Sequence, residues 1–208
     1  MTTLQIDGAM GEGGGQVLRS SLSLSVITQR PIRIVNIRAN RDRPGLRPQH
    51  LVAVRSAARI SNGILRGDRV GSTEIHFEPR GVVPGDYLFD IGTAGATALV
   101  LQTLLPPLAL AEGPSTITVH GGTHVPWSPC FHYLDWHWRP LLKHIGIDFD
   151  LELQMAGFYP HGGGQVAEGG GVTTRQGFGP EQARSAGDRT ESRTGLALDL
   201  RECRAEPG

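Results

Sequence analysis

The sequence predicts an α/β (α+β) fold built from repeated β-α-β-α-β-β units, about two of them. Short β-branched or alternating runs take turns with runs of helical spacing over residues 1–80. The same order of elements returns over residues 81–166. Turns rich in Gly and Pro separate most of the runs. With 208 residues the chain is long enough to bury a real core, as one large domain or two small ones.

In the first unit, Leu4 to Ile6 reads as a short strand running into the Gly-rich turn Gly8 to Gly15. Gln16 to Gln29 places Leu18, Leu22 and Val26 at helical spacing. Ile32 to Ile37 is a β-branched strand, followed by the loop RANRDRPGLRP. A second helix over about Gln49 to Ile60 puts Leu51, Val54 and Ala58 on one stripe, and Ile64–Leu65 with Glu74–Phe77 close the unit as two strands. In the second unit, Tyr87 to Ile91 is a strand and Gly92 to Gly95 a tight turn. Ala96 to Leu105 is apolar on every side, which predicts a buried helix. Ser115 to Val119 is a strand, Phe131 to His144 an aromatic-rich helix broken late by Pro140, and Asp148 to Gln154 another strand. From residue 167 to 208 Gly, Ser, Thr and Arg dominate and apolar residues are scarce, so a mostly disordered tail is expected there.

Composition excludes several function classes. Charged residues make up 19% and hydrophobic residues 38%, as in soluble globular proteins. The formal net charge is zero, so a nucleic-acid partner would have to be held by a local patch. The longest apolar run, Ala98 to Ala111, is interrupted by Gln102, Pro106 and Pro107 and is too short to span a bilayer. The N-terminus lacks the basic start and apolar stretch of a signal peptide, and a cytoplasmic location is expected. Cys130 and Cys203 lie far apart and give no disulfide framework. All basic residues but Lys143 are Arg, and no GxxxxGK[ST] surrounds that Lys, which excludes a Walker P-loop. The strict GxGxxG fingerprint is absent too.

Four features could carry chemistry. Gly11-Glu12-Gly13-Gly14-Gly15-Gln16 lies between strand and helix, where glycines and unpaired helix N–H groups suit an anion; a structural turn explains it equally well. Glu12 is odd there unless a metal intervenes. Arg19, one turn into the helix, can project back to the loop or simply face solvent. Residues 30–47 carry Arg30, Arg33, Arg38, Arg41, Arg43 and Arg47 against the single acid Asp42, a phosphate- or RNA-contacting patch or else a solvated loop. Gln102, inside the apolar helix, reads locally as a satisfied core amide rather than a ligand contact. Gln49 says nothing by itself. The histidines show no metal-site spacing, and Trp127, Phe131, Tyr133, Trp136 and Trp138 read as core and interface packing before base stacking.

Five stretches in order are far more specific than any single motif: DGAMGEGGGQVLRSSLSLS, IRANRDRPGLRPQHLVAVR, IGTAGATALVLQTLLPPL, GGTHVPWSPCFHYL and GFYPHGGGQV. Over roughly residues 4–166 the chain resembles the RNA 3'-terminal phosphate cyclase family. The resemblance implies repeated units like the C-terminal domain of translation initiation factor 3, with a smaller α/β domain inserted later. It implies an enzyme, a ligase using ATP and a divalent metal (Mg or Mn) to convert an RNA 3'-phosphate end to a 2',3'-cyclic phosphate. A histidine is adenylated first, AMP passes to the RNA 3'-phosphate, and the vicinal 2'-hydroxyl expels it. Residue by residue, Glu12 matches the metal-contacting Glu, Arg19, Arg38, Arg41 and Gln49 match positions lining the phosphate and RNA-end site, and Gln102 matches an ATP-binding Gln. The last match reverses the local reading of Gln102.

Two departures stand out. Ala156 occupies a position before the GFYPHGGG motif that is usually Arg or His, a minor change. More seriously, the adenylated histidine of the family follows the GGG motif, and none of the eight histidines here matches it. No catalytic residue is therefore assigned. The expectation is a truncated reading frame, shifted near Val166 and inactive alone, whose exposed edges would favour a homodimer. The alternative is a non-catalytic, cyclase-like RNA-binding or ribosome-assembly protein. A carboxyvinyl transferase with related repeats fits poorly because the cyclase-type loops are present.

Overall fold

The computed structural model describes residues 2–174. Two four-stranded mixed sheets are built in the same way. In the first, β1 (Leu4–Asp7), β2 (Ile32–Val35), β3 (Ile64–Arg66) and β4 (Ile75–Glu78) take the order β1-β2-β4-β3. In the second, β5 (Asp86–Asp90), β6 (Thr116–Gly121), β7 (Ile147–Met155) and β8 (Gly164–Thr174) take the order β5-β6-β8-β7. Each sheet has one parallel pair, β1 with β2 and β5 with β6, and its other pairs are antiparallel. A parallel pair needs a crossover, and α1 (Gly15–Thr28) and α3 (Thr97–Ala109) supply it. The repeat expected from the order of elements is thus present as two sheets of matching topology.

Each sheet's apolar face packs on its helices. Leu18, Leu22 and Val26 of α1 meet Ile34, Ile75 and Phe77 in one cluster; Val100, Leu101 and Leu104 of α3 meet Phe89, Val119 and Phe149 in the other. Burying a side chain of this size contributes about 1.5–3 kcal/mol. The helix α2 (Pro48–Ile60) packs against both α1 and α3, and α1 packs against α3, so the two cores share a helical layer. Of α3, only Gln102 and Pro106 escape full burial. No helix among the described residues is long and apolar enough to cross a membrane.

Three expectations change. Helix α3 continues through Pro106 and Pro107 to Ala109 instead of ending at Leu105. Each proline gives up one ladder hydrogen bond, and the burial of Pro107, Leu108 and Ala109 in the core carries the helix through them. Pro140 does not break the fourth helical stretch. The short α4 (Phe131–Tyr133) runs into a π-helical segment, Leu134–Trp138, and then α5 (Arg139–His144). The Arg139 N–H reaches back five residues to the Leu134 carbonyl, so Pro140's missing donor falls where the ladder changes register. Finally, β8 runs to Thr174, past the composition break at Val166. The Gly169–Gly171 run erases the side-chain pattern, yet the backbone still pairs with β7, Asp150 opposite Gly169 and Asp148 opposite Thr173. The rest of the tail expected to be disordered lies outside the described residues.

The aromatic expectation divides. Phe131 and Leu134 are buried, and Trp138 packs edge-on to Phe149 with ring centroids 5.7 Å apart. Trp127 is fully exposed and Trp136 is 65% exposed, so these two are not core.

Candidate nucleotide and phosphate cleft

The Gly-rich loop delivers α1 to a cleft of about 990 Å³ without a cap. Gly14 occupies the N-cap position and offers no side-chain acceptor, so the first N–H groups of α1 have no capping partner. Gly11 and Gly13 hold φ of 62° and 59°, the left-handed region where a glycine costs least. Gly15 is required for a different reason: a Cβ there would run into the imidazole of His50. Free N–H groups and the positive end of the helix dipole suit this part of the cleft to an anion.

Cationic side chains from two elements face the same cleft. Arg19 projects back from α1, one of the two directions its position allows, and donates to Gln16 Oε1 at 3.0 Å. Arg38, in the left-handed region at φ 55°, donates through Nη1 to the carbonyls of Arg43 (2.7 Å) and Gly45 (3.0 Å). Those bonds fix the guanidinium against its own loop. Burial lowers the pKa of both; for Arg38 the repulsion of Arg47 and Arg41 adds to it. Neither loses its charge, because a guanidinium stays protonated in proteins. Arg41 Nη2 lies 3.5 Å from the exposed Glu12 carboxylate. Not all of the basic patch is gathered here: Arg33 pairs instead with Glu74 at 2.7 Å.

Glu12 is the one carboxylate among the described residues that line the cleft. The protein alone thus offers a divalent ion one carboxylate, the arrangement Mg²⁺ takes when phosphates and water supply most of the other ligands.

Gln49 and Gln102 complete the lining from two further helices. Gln49 Oε1 accepts the backbone N–H of Ala96, the N-cap of α3, at 3.1 Å. Gln102, unlike the buried Thr97 and Thr103 of α3, is only partly buried and faces the cleft, so it is not a core amide. All six sequence-derived positions therefore line one cavity.

Sequence reasoning missed His50, which also lines it. The Arg47 N–H donates to His50 Nδ1 at 3.2 Å, capping α2. A neutral imidazole that accepts at Nδ1 carries its proton on Nε2. Burial, with Arg38, Arg19 and Arg47 nearby, pushes the His50 pKa down to about 3. The motif PQH placed this residue at the helix start, but nothing in the sequence showed that an Arg cluster would close around it. Spacing also missed a second group away from the Arg cluster, His124, Cys130 and His132, whose donor atoms all lie within 4.8 Å of one another.

A family model described as "RNA 3'-terminal phosphate cyclase" matches residues 10–174. The chain belongs to the RNA 3'-terminal phosphate cyclase family. Relatives carrying that name include one from Staphylothermus marinus, 51% identical over 166 residues, 80% of this chain and 46% of the relative. One from Trichormus variabilis is 55% identical over 170 residues, 78% of this chain and 49% of the relative. Another from Methylococcus capsulatus is 49% identical over 173 residues, 80% of this chain and 48% of the relative. The chain spans about half the length of the curated relatives it matches. The cyclase family match ends at Thr174, where β8 ends, and so reaches past Val166 as the sheet does.

Proposed function

We propose that this chain forms the phosphate-holding part of an ATP-dependent RNA 3'-phosphate cyclase acting in RNA processing in the cytoplasm. The observation that supports this is the convergence of Glu12, Arg19, Arg38, Arg41, Gln49 and Gln102 on a cleft that also receives the uncapped start of α1. Two kinds of phosphate would use it. Arg19, Arg38 and Arg41 orient the RNA 3'-phosphate, Gln102 contacts ATP, and the N–H groups of α1 take oxyanions that the Arg side chains leave over. A divalent ion (Mg or Mn) held by Glu12 and the phosphates would neutralise their charge.

Alone, the 208-residue chain is proposed not to adenylate itself. His50 is the histidine lining the cleft, and its Nδ1 lone pair is already taken by the Arg47 N–H. The test has two parts. Fluorescence anisotropy with a short RNA ending in a 3'-phosphate, against the same RNA ending in a 3'-hydroxyl, should show tighter, salt-sensitive binding of the phosphate. Incubation with labelled ATP and Mg²⁺ should leave the protein unlabelled. Equal affinity for both RNA ends would overturn the phosphate assignment; a labelled band would overturn the inactivity. RNA bound without regard to its end, and without label, would favour the non-catalytic RNA-binding alternative. The edge strands β1, β3, β5 and β7 support the expectation of a homodimer, which sedimentation would read directly.

A further inference from the structure

We propose that His124, Cys130 and His132 form a binding site for a zinc-class transition-metal ion that clamps the base of the loop carrying Trp127 to the mouth of the cleft. The site needs nothing from the cyclase chemistry proposed above and differs in kind from Glu12. Two imidazoles and a thiolate select borderline and soft ions, whereas a lone carboxylate suits a hard one.

The donors are already gathered. His124 Nε2 and His132 Nδ1 are 3.1 Å apart, and with Cys130 Sγ all three atoms lie within 4.8 Å of one another. Zinc bonds of about 2.0–2.1 Å to nitrogen and 2.3 Å to sulfur put tetrahedral donors roughly 3.3–3.6 Å apart. Small side-chain rotations span the difference. The outer shell is in place as well. Thr123 Oγ1 lies 2.8 Å from His124 Nδ1 and accepts the Gly157 N–H at 2.9 Å. When Thr123 Oγ1 also accepts the His124 Nδ1–H, the lone pair of His124 is left on Nε2, toward the cluster, the orienting role that outer partners of ligating histidines play. Phe158 stacks on His124 with ring centroids 5.4 Å apart, and Trp136 lies tilted against His132 at 4.8 Å. Three ligands leave a fourth position for water or an incoming group.

The placement gives the ion a task. The Phe131 N–H donates to the Thr123 carbonyl at 3.0 Å, closing the intervening segment into a loop. His124 and Cys130 stand at its two ends, and His132 follows on α4. Trp127, at φ 63° and fully exposed, and Pro129 line the cleft from this loop. An ion bridging both ends would fix the segment over the cleft, and its binding would release the Cys130 thiol proton.

The test uses the full chain with Cys203→Ser, freed of metal by chelator and titrated with Co²⁺. One equivalent should produce a thiolate-to-cobalt charge-transfer band and intense tetrahedral d–d bands, both bleached by Zn²⁺ and untouched by excess Mg²⁺. Cys130→Ser should abolish the charge-transfer band while circular dichroism stays the same. His132→Gln, which keeps the thiol, should lose stoichiometric binding and serves wherever Cys130→Ser fails to fold. Hydrogen exchange of residues 125–129 should slow when Zn²⁺ is added. Absence of the bands, their persistence in both variants, or displacement by Mg²⁺ would overturn the site. Metal binding with unchanged exchange in the loop would overturn the clamp.

Discussion

Gln49 of the first unit and Ala96 of the second are joined by a side-chain to backbone hydrogen bond of 3.1 Å. It satisfies an N–H at the start of α3 and holds the cleft's two halves at a fixed distance. Gln49 thus has a structural duty in addition to any role toward phosphate.

These duties can be separated. Gln49→Ala should lower stability by about 1–2 kcal/mol, because the N–H of the buried Ala96 loses its acceptor. Gln49→Glu keeps an acceptor and should melt near the parent temperature, yet bind RNA 3'-phosphate more weakly through charge repulsion. Thermal denaturation and anisotropy on the same samples decide it. A stable Gln49→Ala protein would mean the hydrogen bond contributes nothing.

Arg19, Arg38 and Arg41 should differ in their effects. Each alanine variant should flatten the salt dependence of RNA binding, the slope falling by about 0.7 for every single-strand phosphate that is no longer neutralised. Arg38→Ala should also destabilise the loop, since its guanidinium ties the carbonyls of Arg43 and Gly45. Arg41→Ala should leave the melting temperature unchanged, its partner Glu12 being exposed.

His50 makes the protein acid-sensitive in a defined window. Its folded pKa is near 3 and its unfolded pKa is that of a free histidine, about 6.5, so the unfolded chain takes the proton first. Stability is full above about 6.5 and declines as pH falls from there toward 3. His50→Gln should flatten stability between pH 6.5 and 4 in urea titrations. An unchanged slope would show that other groups set it.

Glu168 acts in the opposite sense. It is 2% exposed on β8, and burial, with Asp150 nearby, pushes its pKa up to about 8 against the opposing pull of the Ile117 backbone N–H. The folded protein holds this proton where the unfolded chain has released it. The stabilisation is present below about 4.5 and is lost as pH rises through 8. Glu168→Gln should therefore stabilise the protein at pH 8.5, on the order of a few kcal/mol, and change little at pH 4. Equal effects at both pH values would contradict the assignment.

Much of this was legible in the residues. Period-two and helical spacings located most of the elements within a residue or two, since Leu18, Leu22 and Val26 or Ile32 and Ile34 face one core. The whole of strand β8 and two helix readings escaped because side-chain pattern did not decide them. Backbone pairing carries β8 through a Gly run, core burial carries α3 through two prolines, and a wide turn absorbs Pro140. In the site, Glu12 and Gln102 could be placed through motif order; isolated, each had a dull explanation. His50 and the His124–Cys130–His132 group depend on long-range approach, Gly15 against one and a closed loop behind the other, and no spacing rule encodes that.

The π-helical segment Leu134–Trp138 has one more consequence. An added residue rotates everything on one side of it by about 100° relative to a regular helix. With that offset, His132 ahead of the segment meets His124 while Trp138 at its end meets Phe149 of the second sheet. Removing a single residue there would leave composition and hydropathy almost untouched, but one of the two rings would have to turn away from its partner. The helix is thus a phase lock, set by how many residues it holds as well as by which ones pack.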